Sequence, residues 1–198
     1  MNILITGVGG QGVITIKKIL SYASIKEDRF FRASELHGLS QRGGSVNVHF
    51  RLDPSAHSPL IGQGEVDLII GLDLLEAARA VNFASANSIY LVNDCFIPFF
   101  QLPAFVKEDF LKIAKRDGRA NAKNIFIAEA AKICREKLKN SVFEGIFLLG
   151  FAFSKKLIPL EEQSLMFGIE KSVPVKFVKQ NKEAFNLGKK SITLCSRS

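Results

Sequence analysis

The chain has 198 residues, of which 27 are Lys or Arg and 19 are Asp or Glu, so its formal net charge is +8. A hydrophobic fraction of 47% excludes a disordered chain, and the length predicts one domain that can bury a core without disulfides. The three cysteines are far apart and form no Cys-x-x-Cys pair, which argues against a disulfide framework, a zinc ribbon and an iron–sulfur cluster bound by this chain alone.

The positive charge lies in the second half of the chain. Residues 1–100 carry eight basic and nine acidic side chains, whereas residues 101–198 carry 19 basic and ten acidic ones. Scattered lysines are typical of solvated helix faces, and an anionic partner or nucleic acid is the alternative. No segment interleaves basic with aromatic residues, which disfavours nucleic acid. No apolar segment approaches the length of a membrane span and no basic targeting region precedes the first apolar segment, so we predict a soluble, cytoplasmic protein without membrane contact.

Short apolar segments alternate with helical patterns along most of the chain. Strands are predicted at residues 2–6, 29–33, 46–52, 66–72, 88–92 and 124–127. Helices are predicted at residues 12–26, 74–81, 105–115, 128–140 and 141–155, and two more open at Pro159 and Pro174, the second ending at Gly188. Asp73 is placed to cap one helix, and Ser141 with Glu144 to form a capping box on another.

This alternation predicts an α/β fold: a Rossmann-like, mostly parallel sheet with helices on both faces and a helical C-terminal part. We expect a single domain over residues 1–198, with a sheet-forming core at 1–127 and the helical part at 128–198. Ligands of such sheets bind at the carboxyl ends of the strands, so the loops that follow strands are the candidate site.

The loop after the first predicted strand is rich in glycine. Gly7, Gly9 and Gly12 form a Gly-x-Gly-x-x-Gly pattern between a strand and a helix, the setting in which this pattern has meaning. Glycines there permit a tight turn and a close approach to a phosphate, and the helix N-terminus supplies N–H groups and a positive dipole end. The alternative is a loop whose glycines only let the helix pack close to the sheet. In a nicotinamide site, Glu35 would be the acidic residue on the ribose.

A second loop, at residues 34–45, reads Ser-Glu-Leu-His-Gly-Leu-Ser-Gln-Arg-Gly-Gly-Ser. Its two consecutive glycines can present backbone N–H groups to an anion, with the arginine beside them as a bidentate donor. We expect it to lie near the glycine loop, because both follow strands of one sheet; an ordinary polar surface loop is the alternative. No metal ligands are predicted, and the candidate residues are Glu35 and His37 for acid–base chemistry and Gly7, Gly9, Gly10, Gln11, Gly12, Gln41, Arg42, Gly43 and Gly44 for binding.

Both loops resemble a known family. Gly-Val-Gly-Gly-Gln-Gly-Val at 7–13 and the segment 34–46 are similar to the gamma subunits or domains of 2-oxoacid:ferredoxin oxidoreductases. The His-Gly that precedes Gln-Arg-Gly-Gly points more narrowly to the small (beta) subunits of indolepyruvate ferredoxin oxidoreductases. Further agreement covers residues 58–61, 64–67 and 74–77, Asn93 with the Ile-Pro pair at 97–98, and residues 184–188. The segment 96–105 departs from the pattern because it is unusually aromatic, and the C-terminal part departs because it is basic.

The resemblance implies an enzyme that oxidatively decarboxylates a 2-oxoacid with coenzyme A and reduces ferredoxin, using thiamine diphosphate, Mg²⁺ and [4Fe–4S] clusters. It implies that these cofactors lie on a large alpha subunit, and that this chain, inactive alone, completes the complex and reaches ferredoxin through it. The two glycine-containing loops would then either face the partner's active site or contact the anionic coenzyme A.

Other functions remain open at this point. One is a stand-alone NAD-binding Rossmann protein that uses Glu35 and His37; another is a subunit of a pyruvate or 2-oxoglutarate ferredoxin oxidoreductase; a third is a nucleic-acid-binding module that uses the basic half. The aromatic loop at 96–100 is either an obligate interface or a loop folded back over the chain's own core.

Overall fold

A six-stranded sheet covered by helices on both faces is the framework of the computed structural model, which describes residues 1–38, 43–98, 103–116 and 120–191. The strands are β1 (Asn2–Val8), β2 (Arg32–His37), β3 (Ser45–Arg51), β4 (Val66–Gly71), β5 (Ala84–Asn93) and β6 (Ile125–Ala128). The helices are α1 (Val13–Lys26), α2 (Leu74–Arg79), α3 (Lys107–Lys115), α4 (Ala130–Leu138), α5 (Glu144–Ser154), α6 (Glu162–Ser172) and α7 (Val178–Lys190). Short 3₁₀ turns lie at Ala80–Phe83, Ala122–Asn124, Ser141–Phe143 and Val175–Phe177.

The strand order across the sheet is β2-β3-β1-β4-β5-β6. The strands β1, β4, β5 and β6 are parallel neighbours, while β3 is antiparallel to both β1 and β2. The predicted mostly parallel sheet is therefore confirmed, with an antiparallel hairpin added at one edge. Pairing of Val8 with Ser45 and of His37 with Val46 puts the end of β2 and the start of β3 at the same sheet edge as the carboxyl end of β1.

The side chains of β1 alternate between two cores. Ile3 and Ile5 lie in the larger core with buried residues of α1, α5, α6 and α7. Leu4 lies in the smaller core, on the other face, with buried residues of α2 and α3. Helices on both faces were predicted and are confirmed. None of the helices in the described ranges is long and apolar enough to cross a membrane.

Most predicted elements agree with the structure within a few residues, but the predicted strand at 29–33 is wrong. The strand β2 runs instead from Arg32 to His37, so residues 34–37 belong to the sheet rather than to a loop. Because β2 is an edge strand that pairs only with β3, its side chains are exposed or half-buried and its sequence is polar. Such a strand lacks the apolar pattern on which the prediction depended.

The predicted capping box at Ser141 is also wrong. Asn140 is the capping residue, and its Oδ1 accepts a hydrogen bond from Val142 N at 3.0 Å. The Glu144 side chain turns inward and contacts other elements. A Ser-x-x-Glu spacing describes only the local chain, and here distant partners determine the orientation of the carboxylate.

The prediction that α7 ends at Gly188 is wrong, because the helix continues to Lys190. Gly188 instead packs against α5: a Cβ added there would lie 1.9 Å from the carbonyl oxygen of Phe147. Gly150 on α5 makes the reciprocal approach, with an added Cβ 2.0 Å from the carbonyl oxygen of Phe185. The two glycines let the backbones of α5 and α7 touch, which docks the C-terminal helix onto the core.

Candidate functional site

A cavity of about 450 Å³ lies at the sheet edge where β1 ends. Its lining includes Gly9, Gly10 and Gly12 of the glycine loop together with Glu35 and His37 at the end of β2. The fold therefore brings five of the predicted residues, from two separate segments, around one space. The apolar side chains Val8, Val13, Ile14 and Val46 complete its walls.

Backbone hydrogen bonds join the glycine loop to the β2–β3 hairpin. Gly9 N donates to Gly44 O at 2.8 Å, and Gly43 N approaches Gly9 O at 3.5 Å. The two loops are thus neighbours, as predicted from their positions after strands of one sheet. Gln41 and Arg42, which were predicted to bind the ligand, lie outside the described residues.

The glycine loop has the backbone conformation that its sequence requires. Gly10 has φ +108° and Gly12 has φ +88°, values that side-chain-bearing residues rarely adopt. Gly12 is the N-cap residue of α1, immediately before the helix begins at Val13. Within the described part of the chain, the N–H groups of Gly10 and Gly12 have no hydrogen-bond acceptor. Unpaired N–H groups beside a helix N-terminus suit the binding of a phosphate or another anion.

Gly7 lies inside β1 rather than on the cavity. A Cβ at Gly7 would lie 3.0 Å from each of Gln11 Oε1, Leu72 Cβ and Val13 Cγ2. The residue therefore permits close packing behind the loop.

Glu35 and His37 differ in their surroundings. The Glu35 carboxylate pairs with Lys17 Nζ of α1. The exposed His37 places its Nδ1 3.2 Å from Gly38 O. Since β3, and not β2, lies next to β1, the arrangement differs from a dinucleotide site in which the acidic residue ends the neighbouring parallel strand. The paired carboxylate and this topology do not favour the NAD-binding alternative.

A buried polar network supports the loop from behind. Gln11 Oε1 accepts a hydrogen bond from Val8 N at 2.8 Å, and Gln11 Nε2 donates to Leu72 O and to Glu144 Oε1, both at 3.0 Å. Asn93 Nδ2 donates to Leu72 O at 3.2 Å and to Glu144 Oε2 at 3.1 Å. The local sequence around Asn93 and Glu144 does not predict this role for either residue. The available signal was a single carboxylate in an otherwise apolar segment, residues 142–153.

The environment of Glu144 is unusual for a carboxylate. Burial raises its pKa to about 7, although the hydrogen bonds from Gln11 and Asn93 act in the opposite direction. The negative charge of Asp73 raises this pKa further, and the positive charge of Arg135 lowers it. Glu144 therefore changes its charge near neutral pH.

A second cavity, of about 390 Å³, lies on the other side of the glycine loop. Gly10, Gln11 and Gly12 line it together with residues at the starts of α5 and α7, among them Phe143 and Phe177. The glycine loop is thus a thin wall between two cavities, and its conformation shapes both.

The cysteines of the sequence do not fit an iron–sulfur cluster, and the side chains of the described residues do not fit a metal ion. Such clusters need about four thiolates, and the whole sequence has three cysteines. Burial raises the pKa of Cys95 to about 11 and that of Cys134 to about 12, so both thiols stay protonated at neutral pH. Across the described ranges, no group of three His, Cys, Asp or Glu side chains is arranged to hold a metal.

The chain is similar over almost its full length to subunits of one class of enzyme. It is 30% identical over 195 residues to the indolepyruvate oxidoreductase subunit IorB of Thermococcus kodakarensis, covering 96% of this chain and 95% of the relative. It is 32% identical over 192 residues to the subunit of the same name from Methanothermobacter thermautotrophicus, covering 94% and 95%.

Solved structures share the fold. The gamma subunit of a keto/oxoacid ferredoxin oxidoreductase from Geobacter sulfurreducens superposes with a TM-score of 0.68 at 17% identity, covering 94% of this chain and 95% of that one. The 2-oxoglutarate:ferredoxin oxidoreductase of Magnetococcus marinus, solved with 2-oxoglutarate, coenzyme A and succinyl-CoA bound, gives a TM-score of 0.65 at 16% identity, covering 99% of this chain and 32% of that one. Residues 2–191 match the pyruvate ferredoxin/flavodoxin oxidoreductase family, and the chain therefore belongs to that family.

Proposed function

We propose that this chain is the small subunit of an indolepyruvate-type 2-oxoacid:ferredoxin oxidoreductase, working in the cytoplasm as a single domain over residues 1–198. The observation that carries the proposal is the identity of 30–32% with two indolepyruvate oxidoreductase subunits over about 95% of their lengths. In the assembled enzyme, a 2-oxoacid is oxidatively decarboxylated, its acyl group passes to coenzyme A and the electrons pass to ferredoxin.

The redox cofactors belong, in this proposal, to a larger partner subunit. Three cysteines are too few to hold a cluster, and burial raises the thiol pKa of two of them, Cys95 and Cys134. Thiamine diphosphate, Mg²⁺ and the [4Fe–4S] clusters are accordingly assigned to the partner, which also delivers electrons to ferredoxin. The isolated small subunit is expected to have no turnover.

Coenzyme A is the ligand we assign to the cavity at the glycine loop. Its phosphate groups match the N–H groups of Gly10 and Gly12 and the N-terminus of α1. Gly43 and Gly44 border the loop, and Arg42, predicted as a bidentate donor, lies next to them in the sequence. The enzyme of matching fold that was solved with coenzyme A bound is consistent with this assignment.

The proposal is tested first by purification of the tagged chain from its native cell. We expect a larger, brown, thiamine-diphosphate-containing subunit to co-purify, and the complex to reduce ferredoxin with indolepyruvate and coenzyme A. Recovery of the chain alone, with no activity in any fraction, would contradict the assignment as a subunit.

The coenzyme A contact is tested in the assembled complex. Arg42→Ala and His37→Ala are expected to raise the KM for coenzyme A without changing the KM for the 2-oxoacid. Lys190→Ala, at the exposed end of α7, is the control and should change neither. Unchanged KM values in all three variants would refute the contact while leaving the subunit assignment intact.

A further inference from the structure

Glu144 accepts a hydrogen bond on each of its carboxylate oxygens. Gln11 Nε2 lies 3.0 Å from Oε1, and Asn93 Nδ2 lies 3.1 Å from Oε2. The side chain is only about 5% exposed at the start of α5, so solvent does not replace these donors. The charge of a carboxylate in this position is therefore stabilised by protein hydrogen-bond donors rather than by water.

Both amide donors have a fixed orientation. Gln11 Oε1 is held by Val8 N at 2.8 Å, and Asn93 Oδ1 is held by Ala131 N at 3.2 Å. The remaining N–H of each amide donates to Leu72 O. Neither amide can therefore turn its oxygen toward Glu144 without losing a bond to a buried backbone N–H.

The amide N–H groups of Gln11 and Asn93 each need a hydrogen-bond acceptor on the side chain at position 144. An ionised carboxylate supplies an acceptor to each amide, whereas a protonated carboxyl, or a glutamine, directs a hydrogen at one of the two donors. Loss of the charge consequently weakens the link to Gln11 or to Asn93.

Gln11 connects Glu144 to the glycine loop, because it is itself a residue of this loop. It lies between Gly10 and Gly12, the two residues with positive φ, and its side chain is buried behind them. The loop forms one wall of the cavity assigned to coenzyme A and separates it from the second cavity. We propose that Glu144 is a positioning residue that holds the glycine loop, through Gln11, in the conformation in which its backbone N–H groups receive the anionic ligand. The identity of the ligand, coenzyme A, rests on the proposed function. The coupling of Glu144 to the glycine loop through Gln11 does not rest on it.

The charge of Glu144 depends on groups from several elements. Asp73, which follows β4, favours the protonated form, and Arg135 of α4 favours the ionised form. The Cys95 and Cys134 thiols interact with Glu144 and are neutral at physiological pH. With a pKa of about 7, the carboxylate is lost as the pH falls from about 8 to 6, and the loop should loosen over that interval.

The coupling is tested first without ligand, on the full chain. Hydrogen-exchange protection of the Val8, Gly9 and Gln11 amides, each of which donates a hydrogen bond at the glycine loop, is measured by NMR between pH 5.5 and 8.5 and corrected for intrinsic exchange rates. In the wild type, protection should rise with a midpoint near pH 7, whereas Glu144→Gln should show low protection with no midpoint. The wild-type profile serves as a test even if the variant fails to fold, and a flat wild-type profile would overturn the inference.

A double-mutant cycle tests the route through Gln11. Gln11→Ala should lower loop protection, and adding Glu144→Gln to it should lower protection no further. Glu76→Gln, which alters another buried carboxylate that is bonded to Ser45 and Arg79, is the matched control and should leave the pH midpoint in place. Additive effects of Gln11→Ala and Glu144→Gln would contradict a route through Gln11.

Coenzyme A affinity is then measured by calorimetry on the assembled complex over the same pH range. At pH 8, Glu144→Gln should weaken binding about 2- to 10-fold, as expected for one lost hydrogen bond, and the difference should vanish near pH 6. Comparison with the wild type removes the contribution of the ligand's own phosphate, which titrates near pH 6. An equal affinity at every pH would refute the role of Glu144 in binding. Absence of any coenzyme A binding, with the exchange profile as expected, would refute the proposed ligand and leave the coupling standing.

Discussion

Gly188 of α7 meets the backbone of Phe147 in α5 so closely that a Cβ on the glycine would lie 1.9 Å from the carbonyl oxygen. A contact that short involves backbone and not the flexible end of a side chain, so neither helix can yield without moving as a whole. The docking of α7 onto α5 therefore depends on the absence of a single carbon atom.

We predict that Gly188→Ala destabilises the protein by about 1–3 kcal/mol, the usual cost of overpacking a core. The result is informative because alanine favours a helix over glycine by roughly 0.5–1 kcal/mol, so propensity alone would predict the opposite sign. Urea unfolding followed by circular dichroism measures the change. Asn186→Ala, on the exposed side of the same helix, is the control, and equal stability of Gly188→Ala and the wild type would contradict the close-contact argument.

Sequence patterns predicted the parts of the fold that are determined locally. The strands β1 and β4 are continuous apolar segments buried on both faces, and both were located within two residues. The strand β2 was misplaced because an edge strand buries few side chains and carries no such pattern. The prediction for Gly188 failed for a related reason: glycine at the end of a helix and glycine at a helix crossing have the same local sequence.

In the candidate site, too, the features that depend on consecutive residues were predictable and those that depend on distant partners were not. The glycine loop and the hairpin were predictable because their glycines and polar residues are consecutive in the sequence. The role of Glu144 was not, since its partners Gln11 and Asn93 lie 133 and 51 positions away. Only the sheet order brings the ends of β1 and β5 and the start of α5 together.

Glu144 should make stability fall as the pH rises. Its pKa is about 7 in the folded chain against 4.5 in a solvated one, so the folded state binds more protons between these values. The stabilisation is complete below pH 4.5 and is lost as the pH passes 7, by roughly 3 kcal/mol in total. Urea unfolding between pH 5 and 8.5 should show this decline in the wild type, and Glu144→Gln should show a flatter profile. The same pH dependence of stability in the wild type and in Glu144→Gln would show that Glu144 does not cause the decline.

His49 should make the stability of the fold fall as the pH decreases, the opposite of the effect of Glu144. It is 2% exposed, its Nδ1 accepts a hydrogen bond from Ile61 N at 3.0 Å, and its Nε2 has no partner among the described residues. Burial lowers the pKa of His49 below 6.5, so the unfolded chain binds the proton more readily. Stability from this residue is therefore fully present above pH 6.5 and is lost as the pH falls below 6.5 and through the lower pKa of the folded state.

Replacement of His49 by asparagine isolates this contribution, because the amide oxygen can still accept from Ile61 N. We expect His49→Asn to be less stable than the wild type at pH 7 and to lose less stability on acidification to pH 5. Urea unfolding at several pH values measures both. The control is His57→Asn at an exposed loop histidine, and a wild-type slope in His49→Asn would show that another group dominates.

Asp73 caps α2 and ties the segment that follows β5 to the start of this helix. Its Oδ1 accepts hydrogen bonds from Leu75 N and Glu76 N at 2.8 and 3.1 Å, and its Oδ2 accepts from Ile97 N at 2.7 Å. Asp73→Ala should cost about 1–2 kcal/mol from the cap alone, measured by urea unfolding. Asp53→Ala, in an exposed turn, is the matched control and should cost less. An equal loss in the two variants would argue against a capping role.

Three apolar side chains in or near the aromatic segment (residues 96–105) are exposed: Ile97, Val106 and Ile113, at 37%, 46% and 39%. Phe96 and Phe105 pack against each other with ring centroids 6.4 Å apart, and Phe105 contacts the smaller core, so both ends of the segment are anchored; residues 99–102 lie outside the described ranges. Val106, the N-cap residue of α3, and Ile113 are seven positions apart, a spacing that puts both on one side of this helix and makes them an apolar patch.

We predict that the chain, expressed without its partner, associates through this patch in a concentration-dependent way, because exposed apolar clusters favour burial at an interface. Ile113→Lys should reduce the association constant, measured by sedimentation velocity, at least about tenfold, the effect of roughly 1.4 kcal/mol lost from one buried isoleucine. Ile25→Lys provides the control, since Ile25 is 58% exposed on α1. A monomer at every concentration, or an equal effect of the two lysines, would show that the patch is not an interface.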